Sequence, residues 1–169
     1  MTRSFRARIG GSGSPSPTEY SGSFDAELID LLRDDLIAAD YRVPAVRALL
    51  GADADAARLR GVFAPARRAL VAQGEGALAT LIRLFLLGEE IGEEELTGAL
   101  PLLGARGVSQ LGLIQTQAGR ARAMLALNPV EIADARLDTA AHWWIISDLD
   151  DALRGGPAPA DHVMGVGGA

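Results

Sequence analysis

The sequence predicts an α+β fold that is mainly helical. Three observations carry the prediction. Apolar residues recur at helical spacing from Leu28 to Leu100. Glycine or proline punctuates that stretch at Pro44, Gly51, Gly74, Gly88 and Pro101, which divides it into short helices. Past Leu111 the pattern changes to short runs around the turn pair Ala118-Gly119, ending in the aromatic and β-branched run His142–Ser147. We expect a helical bundle with a winged-helix-like unit and a small C-terminal β-hairpin or sheet.

The elements follow in order. Residues 1–23 are rich in Gly, Ser and Pro and read as a disordered tail. The folded domain then runs over 24–154. Asp25 caps a first helix whose stripe is Leu28, Leu31, Leu32 and Leu36, ending near Ala39–Tyr41. Pro44 fits the first turn of a second helix through Leu50, with Gly51 as its stop. Asp53 is positioned to cap a third, Ala54–Gly61, and Pro65–Gln73 forms a fourth, closed by Gly74. Ala77–Leu87 is apolar nearly all round, which marks a central buried helix ended by Gly88. Glu93–Leu100 carries three glutamates at the positive end of its dipole. After the turn at Pro101–Gly104, a weaker helix covers Gly104–Leu111. Helices alone are expected over 24–100.

Leu113–Gln117 and Arg120–Leu127 read as the two strands of a hairpin, with Asn128-Pro129 as a strand-ending turn. His142–Ser147 is a strand, in which Trp143 and Trp144 point to opposite faces, one toward the core and one toward a cover. A helical turn is expected at Asp150–Leu153, and 155–169 reads as a linker. The order helix, helix, helix, hairpin over 77–127 is that of a winged-helix unit, with Gly104–Leu111 as recognition helix and Ala118–Arg120 as wing tip.

Composition narrows the chemistry. With 49% hydrophobic residues over 169, the chain is long enough to bury a core without staples. Cysteine is absent, which removes disulfides, thiolate metal sites and a thiol nucleophile, and fits a reducing cytoplasm. Two histidines and no metal-ligand spacing argue against a metal. No apolar stretch is long enough to span a bilayer, so no membrane partner is expected. All 16 basic residues are arginine, which composition bias explains first.

The net charge of −6 is unevenly spread. Acids crowd 25–40 and 89–95, whereas 96–130 holds Arg106, Arg120 and Arg122 and no acid. An anionic macromolecule would be met there. Arg106, Ser109 and Gln110 on the recognition helix, with Arg120 and Arg122 on the wing, form the candidate contact set for nucleic acid or another anion. The plain alternative is a solvated surface, because a strong polyanion binder shows a basic stripe. His142 has no partner at useful spacing and reads as structural. No carboxylate pair, nucleophile or metal set points to catalysis within this chain. Asn128-Pro129-Val130 resembles the NPP(Y/F) motif of methyltransferases but lacks its second proline and aromatic.

Three stretches carry a family resemblance. They are Leu81-Ile82-Arg83-Leu84-Phe85-Leu86-Leu87-Gly88, then Gly107-Val108-Ser109-Gln110-Leu111-Gly112-Leu113-Ile114, then Trp143-Trp144-Ile145-Ile146-Ser147-Asp148-Leu149 with Asp161-His162-Val163-Met164-Gly165-Val166-Gly167-Gly168-Ala169. The last resembles the joint before the catalytic domain in bacterial, especially actinobacterial, class I S-adenosylmethionine-dependent methyltransferases of the small-domain, N5-glutamine-like group. The resemblance implies that the chain is an N-terminal substrate-recognition or accessory domain. Under it, S-adenosylmethionine and the catalytic residues belong to a Rossmann-like domain after residue 169, and this chain holds no cofactor of its own. The partners implied are that C-terminal domain and a macromolecular substrate, protein, RNA or DNA. Trp143, Trp144 and His162 are the candidate domain interface. The alternative is a free-standing winged-helix module that binds protein or nucleic acid.

Overall fold

A computed structural model describes residues 25–73, 75–132, 141–149 and 153. The expected tail over 1–23, the linker over 155–169 and His162 lie outside the described residues. The chain is α+β and mainly helical, with two small antiparallel sheets.

Helix α1 (Ala26–Ala38) starts at Asp25, whose side chain accepts from the Glu27 N–H at 3.1 Å. Its end is set by Asp40 in the left-handed region (φ 53°) and by Tyr41, whose N–H returns to the Leu36 carbonyl at 2.9 Å. This is the Schellman arrangement, which puts an apolar residue at the exit against the last turn. Tyr41 is fully buried there. Helix α2 (Val43–Leu50) carries Pro44 in its first turn as expected.

Helix α3 (Ala52–Leu59) corrects the sequence reading. It begins one residue after Gly51, which at φ 82° serves both as the end of α2 and as the cap of α3. Asp53 lies inside the first turn rather than at the cap, favoured there by the helix dipole. Its end comes earlier than expected, because Gly61 is the left-handed residue after the helix. Helix α4 (Ala64–Gln73) follows.

The expected central helix is α5 (Ala77–Leu81) running without a break into a π-helical segment, Ile82–Leu86. Leu81, Ile82, Leu84 and Phe85 are all fully buried. Leu32, Leu36, Tyr41, Leu96 and Leu113 belong to the same core. Gly88 ends the helix with φ 64°, a backbone conformation that favours glycine, and the Leu153 side chain packs close beside it.

The expectation of helices alone over 24–100 is overturned by β1 (Ile91–Gly92). It is too short for a periodic signal and exists because the neighbouring strand offers partners. Helices α6 (Glu93–Ala99) and α7 (Gly104–Gln110) follow. Strands β2 (Ile114–Gln117) and β3 (Arg120–Ala123) form the hairpin, and β1 joins it on the far side of β3, giving the order β1-β3-β2.

A second correction concerns the end of that hairpin. The expected strand Arg120–Leu127 is broken at Met124, whose N–H donates to the Leu113 carbonyl at 2.9 Å. From there β4 (Leu125–Ile132) pairs along its whole length with β5 (Ala141–Asp148). Asn128-Pro129 therefore lies inside a strand rather than ending one. Among the described residues β4 pairs on one side only, and an edge strand tolerates a residue without an N–H. Of the expected turn at Asp150–Leu153, only Leu153 is described, and it is helical.

Two links join the β4–β5 pair to the helices. The Tyr41 hydroxyl donates to the Leu127 carbonyl at 2.8 Å, and the Trp144 indole Nε1 donates to the Tyr41 carbonyl at 2.7 Å. Asp35 ties α1 to the start of α7. Its buried carboxylate accepts from the N–H groups of Leu102 and Leu103, the latter at 2.9 Å.

Candidate functional site

Strand alternation sorts the hairpin into two faces. Cross-strand partners share a face. Ile114 and Ala123 face the core, as does Ala121. Gln115 is paired with Arg122 and Gln117 with Arg120, and all four are exposed on the outer face. The tip is Ala118-Gly119, both with positive φ (52° and 74°), the geometry that follows the right-handed twist of a two-residue hairpin.

Arg120 is not a free cation. Its guanidinium Nη2 donates to the Glu90 carbonyl, and it thereby anchors the segment that becomes β1. Arg106 and Arg122 are exposed and have no ion pair among the described residues. Gln110 is exposed one turn after Arg106 on α7, and Ser109 is half-buried. The fold thus gathers Arg120 and Arg122 on one strand face, and puts Arg106 and Gln110 on the open side of α7. The acids of 89–95 do not pair with these arginines through their side chains. The N–H of Glu93 donates to the Gly119 carbonyl at 3.0 Å, so the start of α6 braces the wing tip.

The two tryptophans divide as the strand pattern requires. Trp144 packs on the core and is held by its bond to Tyr41. Trp143, on the other face, is 58% exposed. Its cross-strand partner is Val130, and Ile132 on the same face is 50% exposed. Trp143 is therefore open to solvent, and Trp144 is part of the chain's own packing. His142 is half-buried opposite Glu131, and its Nδ1 is buried with no hydrogen-bond partner among the described residues.

One constellation has no counterpart in the sequence reading. Arg67 Nε donates to Glu89 Oε1 at 3.0 Å, Arg83 Nε to Glu89 Oε2 at 3.0 Å, and Arg83 Nη1 to Glu95 Oε1 at 2.7 Å. Thr80 Oγ1 completes the row by donating to Glu95 Oε1 at 3.1 Å. This row forms one wall of a cleft of about 940 Å³ between α4, the α5–π helix and α6. Its members come from 67, 80–83, 89 and 95, too scattered to form a motif.

No group of three or more His, Asp or Glu among the described residues is placed to hold a metal ion. No described helix is long and apolar enough to cross a membrane. No curated protein and no solved structure matches the chain. One family model does, described as a domain of unknown function, DUF7059, over residues 38–124. The matched span runs from the last residue of α1 to Met124, where the wing ends and the second sheet begins. Covering half of the chain, it shows that this protein belongs to the DUF7059 family.

Proposed function

We propose that the chain is the N-terminal substrate-recognition or accessory domain of an S-adenosylmethionine-dependent methyltransferase, non-catalytic by itself and acting in the cytoplasm. The observation that carries this reading is Trp143, 58% exposed beside Ile132 on a face of the β4–β5 pair that holds no charged residue between Ala126 and Ile132 or between Ala141 and Ser147. An exposed apolar face on a protein of net charge −6 is surface for a partner to cover. Strand β5 leads into the C-terminal stretch whose sequence resembles a methyltransferase domain joint, so the proposed cover is the catalytic domain.

The described residues do not fit the cofactor. The one junction from strand to helix among them, Gly92 to Glu93, opens on Glu93, Glu94 and Glu95, with no glycine-rich loop to take a phosphate-like or ribose group. Under this reading the cofactor belongs to the following domain. The helix–strand–helix–helix–hairpin order from α5 to β3, with the sheet order β1-β3-β2, supports reading this part as a winged-helix unit facing the substrate. Holding a substrate at a reacting centre lowers a barrier by several kcal/mol in enzymes generally, on the order of 7–11 at most.

Hydroxyl-radical footprinting tests the reading. Trp143 should be modified in the isolated chain and protected in the gene-length polypeptide, while Trp144 changes little. Equal modification of Trp143 in both contradicts it. The second reading, a free-standing winged-helix module binding nucleic acid or protein, is favoured by Arg106 and Arg122, which have no ion pair among the described residues and stand with exposed Gln110 and Gln115.

A further inference from the structure

The cleft between α4, the α5–π helix and α6 stands apart from both the wing and the Trp143 face. Its shape is held open by glycine. Gly98 lies inside α6 in ordinary helical backbone, and a Cβ added there would meet nothing within 4 Å. Neither its conformation nor its packing calls for glycine, and glycine weakens a helix interior relative to alanine. Gly76, at the opposite side of the cleft, likewise has nothing within 4 Å of an added Cβ. On the lip, Val71 is 87% exposed.

The charges are graded along the wall. Arg67 and Glu89 neutralise each other at one end. At the other end, Glu75 precedes Gly76, whose carbonyl accepts the Thr80 N–H at 3.0 Å, and Thr80 in turn donates to Glu95. Glu75 and Glu95 therefore flank a single helical turn. Glu95 spends Oε1 on both Thr80 and Arg83, which leaves Oε2 without a partner among the described residues. Glu75, Glu89 and Glu95 outnumber Arg67 and Arg83, so the lining is net negative.

We propose that this cleft binds an arginine or lysine side chain presented on an extended segment of a partner protein. The cation meets Glu75 and the free oxygen of Glu95. Its aliphatic stem lies on Leu70, Val71 and Ala77, as long basic side chains do on apolar surface. A cleft of about 940 Å³ accommodates such a side chain with its flanking residues. An acidic segment would have to displace Glu89 or Glu95 from Arg67 and Arg83. A nucleic acid would meet a net negative wall on a net negative chain. The inference is independent of any methyltransferase domain.

The test is fluorescence polarisation with the full chain and three labelled pentapeptides that differ only in a central arginine, glutamine or glutamate between alanine and leucine flanks. The arginine peptide should bind at least tenfold more tightly than the glutamate peptide. Gly98→Leu, which fills the cleft from an open position, should weaken it at least tenfold, and Gly98→Ala should leave it within twofold. Glu75→Gln, at an exposed position, should weaken it several-fold and flatten its salt dependence. Absence of binding, equal affinity for the three peptides, or unchanged affinity in both Gly98→Leu and Glu75→Gln overturns the proposal.

Discussion

The indole of Trp144 donates to the backbone carbonyl of Tyr41 at 2.7 Å across 103 residues of chain, and the Tyr41 hydroxyl donates to Leu127 at 2.8 Å. One residue at the exit of α1 thus receives a bond from β5 and gives one to β4. The sheet that bears Trp143 is tied to the helical body by this pair of bonds together with the packing of Leu127 and Trp144 on the core.

Tyr41→Phe should cost about 1–3 kcal/mol, because the Leu127 carbonyl loses its donor in a buried place. Urea denaturation measures it. Burial also pushes the phenol well above its ordinary 10.0, against a smaller opposing pull from Arg58. The folded value being raised, the stability linked to this proton is fully present below pH 10 and falls as pH rises further, since the unfolded chain releases the proton and the folded one keeps it. The gap between wild type and Tyr41→Phe should therefore narrow above pH 10. A gap that stays constant to pH 11 removes Tyr41 as the group responsible.

Asp35→Ala should destabilise by about 3 kcal/mol, since the N–H groups of Leu102 and Leu103 lose a charged acceptor. Asp35→Asn keeps one carbonyl oxygen and should cost less. Sequence reading gave Asp35 only as one of the acids crowding 25–40. Nothing local distinguishes it from Asp34, because what makes it structural is a loop 67 residues away. The same limit explains the charged cleft, assembled from four separate segments. Helix ends were legible where chemistry is local: Asp25 as a cap, Pro44 in a first turn, Gly88 as a stop. The π-helical turn at Ile82–Leu86 was not, since its apolar pattern fits an α-helix equally well. Asn128-Pro129 was misread because a turn dipeptide and an edge-strand proline differ only in what lies beside them. That Trp143 and Trp144 take opposite faces followed from alternation, but which of them packs on the core did not, since that is decided by the Tyr41 carbonyl that Trp144 reaches.

Three small residues should respond with different signs. Gly107→Ala should destabilise by about 1–3 kcal/mol, because its Cβ would meet Leu103 Cδ1 at 2.4 Å. Gly98→Ala should stabilise by about 0.5–1 kcal/mol, having free space in a helix interior. Ala118→Asn should stabilise by about 0.5–1 kcal/mol, because Ala118 holds φ 52° before Gly119, where Asn-Gly is the preferred pair. Thermal melts of the three variants check the signs.

If the wing and α7 face a nucleic acid substrate, replacing Arg106 and Arg122 by alanine should weaken binding and reduce its salt slope by about one unit per lost phosphate contact. Arg120→Ala should act differently, lowering stability as well, because Arg120 holds the Glu90 carbonyl. Titrations with RNA and with a peptide substrate at several salt concentrations separate these outcomes. An unchanged salt slope in the double variant assigns the surface to protein.

The central claim is that this chain recognises substrate for a methyltransferase and carries no transfer chemistry itself. Methyl transfer from radiolabelled S-adenosylmethionine into cellular protein and RNA, measured side by side for the chain of residues 1–169 and for the gene-length polypeptide, tests it most directly. We expect label to be incorporated by the gene-length polypeptide and to fall at least tenfold with Trp143→Ser, with none from the 169 residues alone. Incorporation by the 169 residues alone, or none by the gene-length polypeptide, contradicts it.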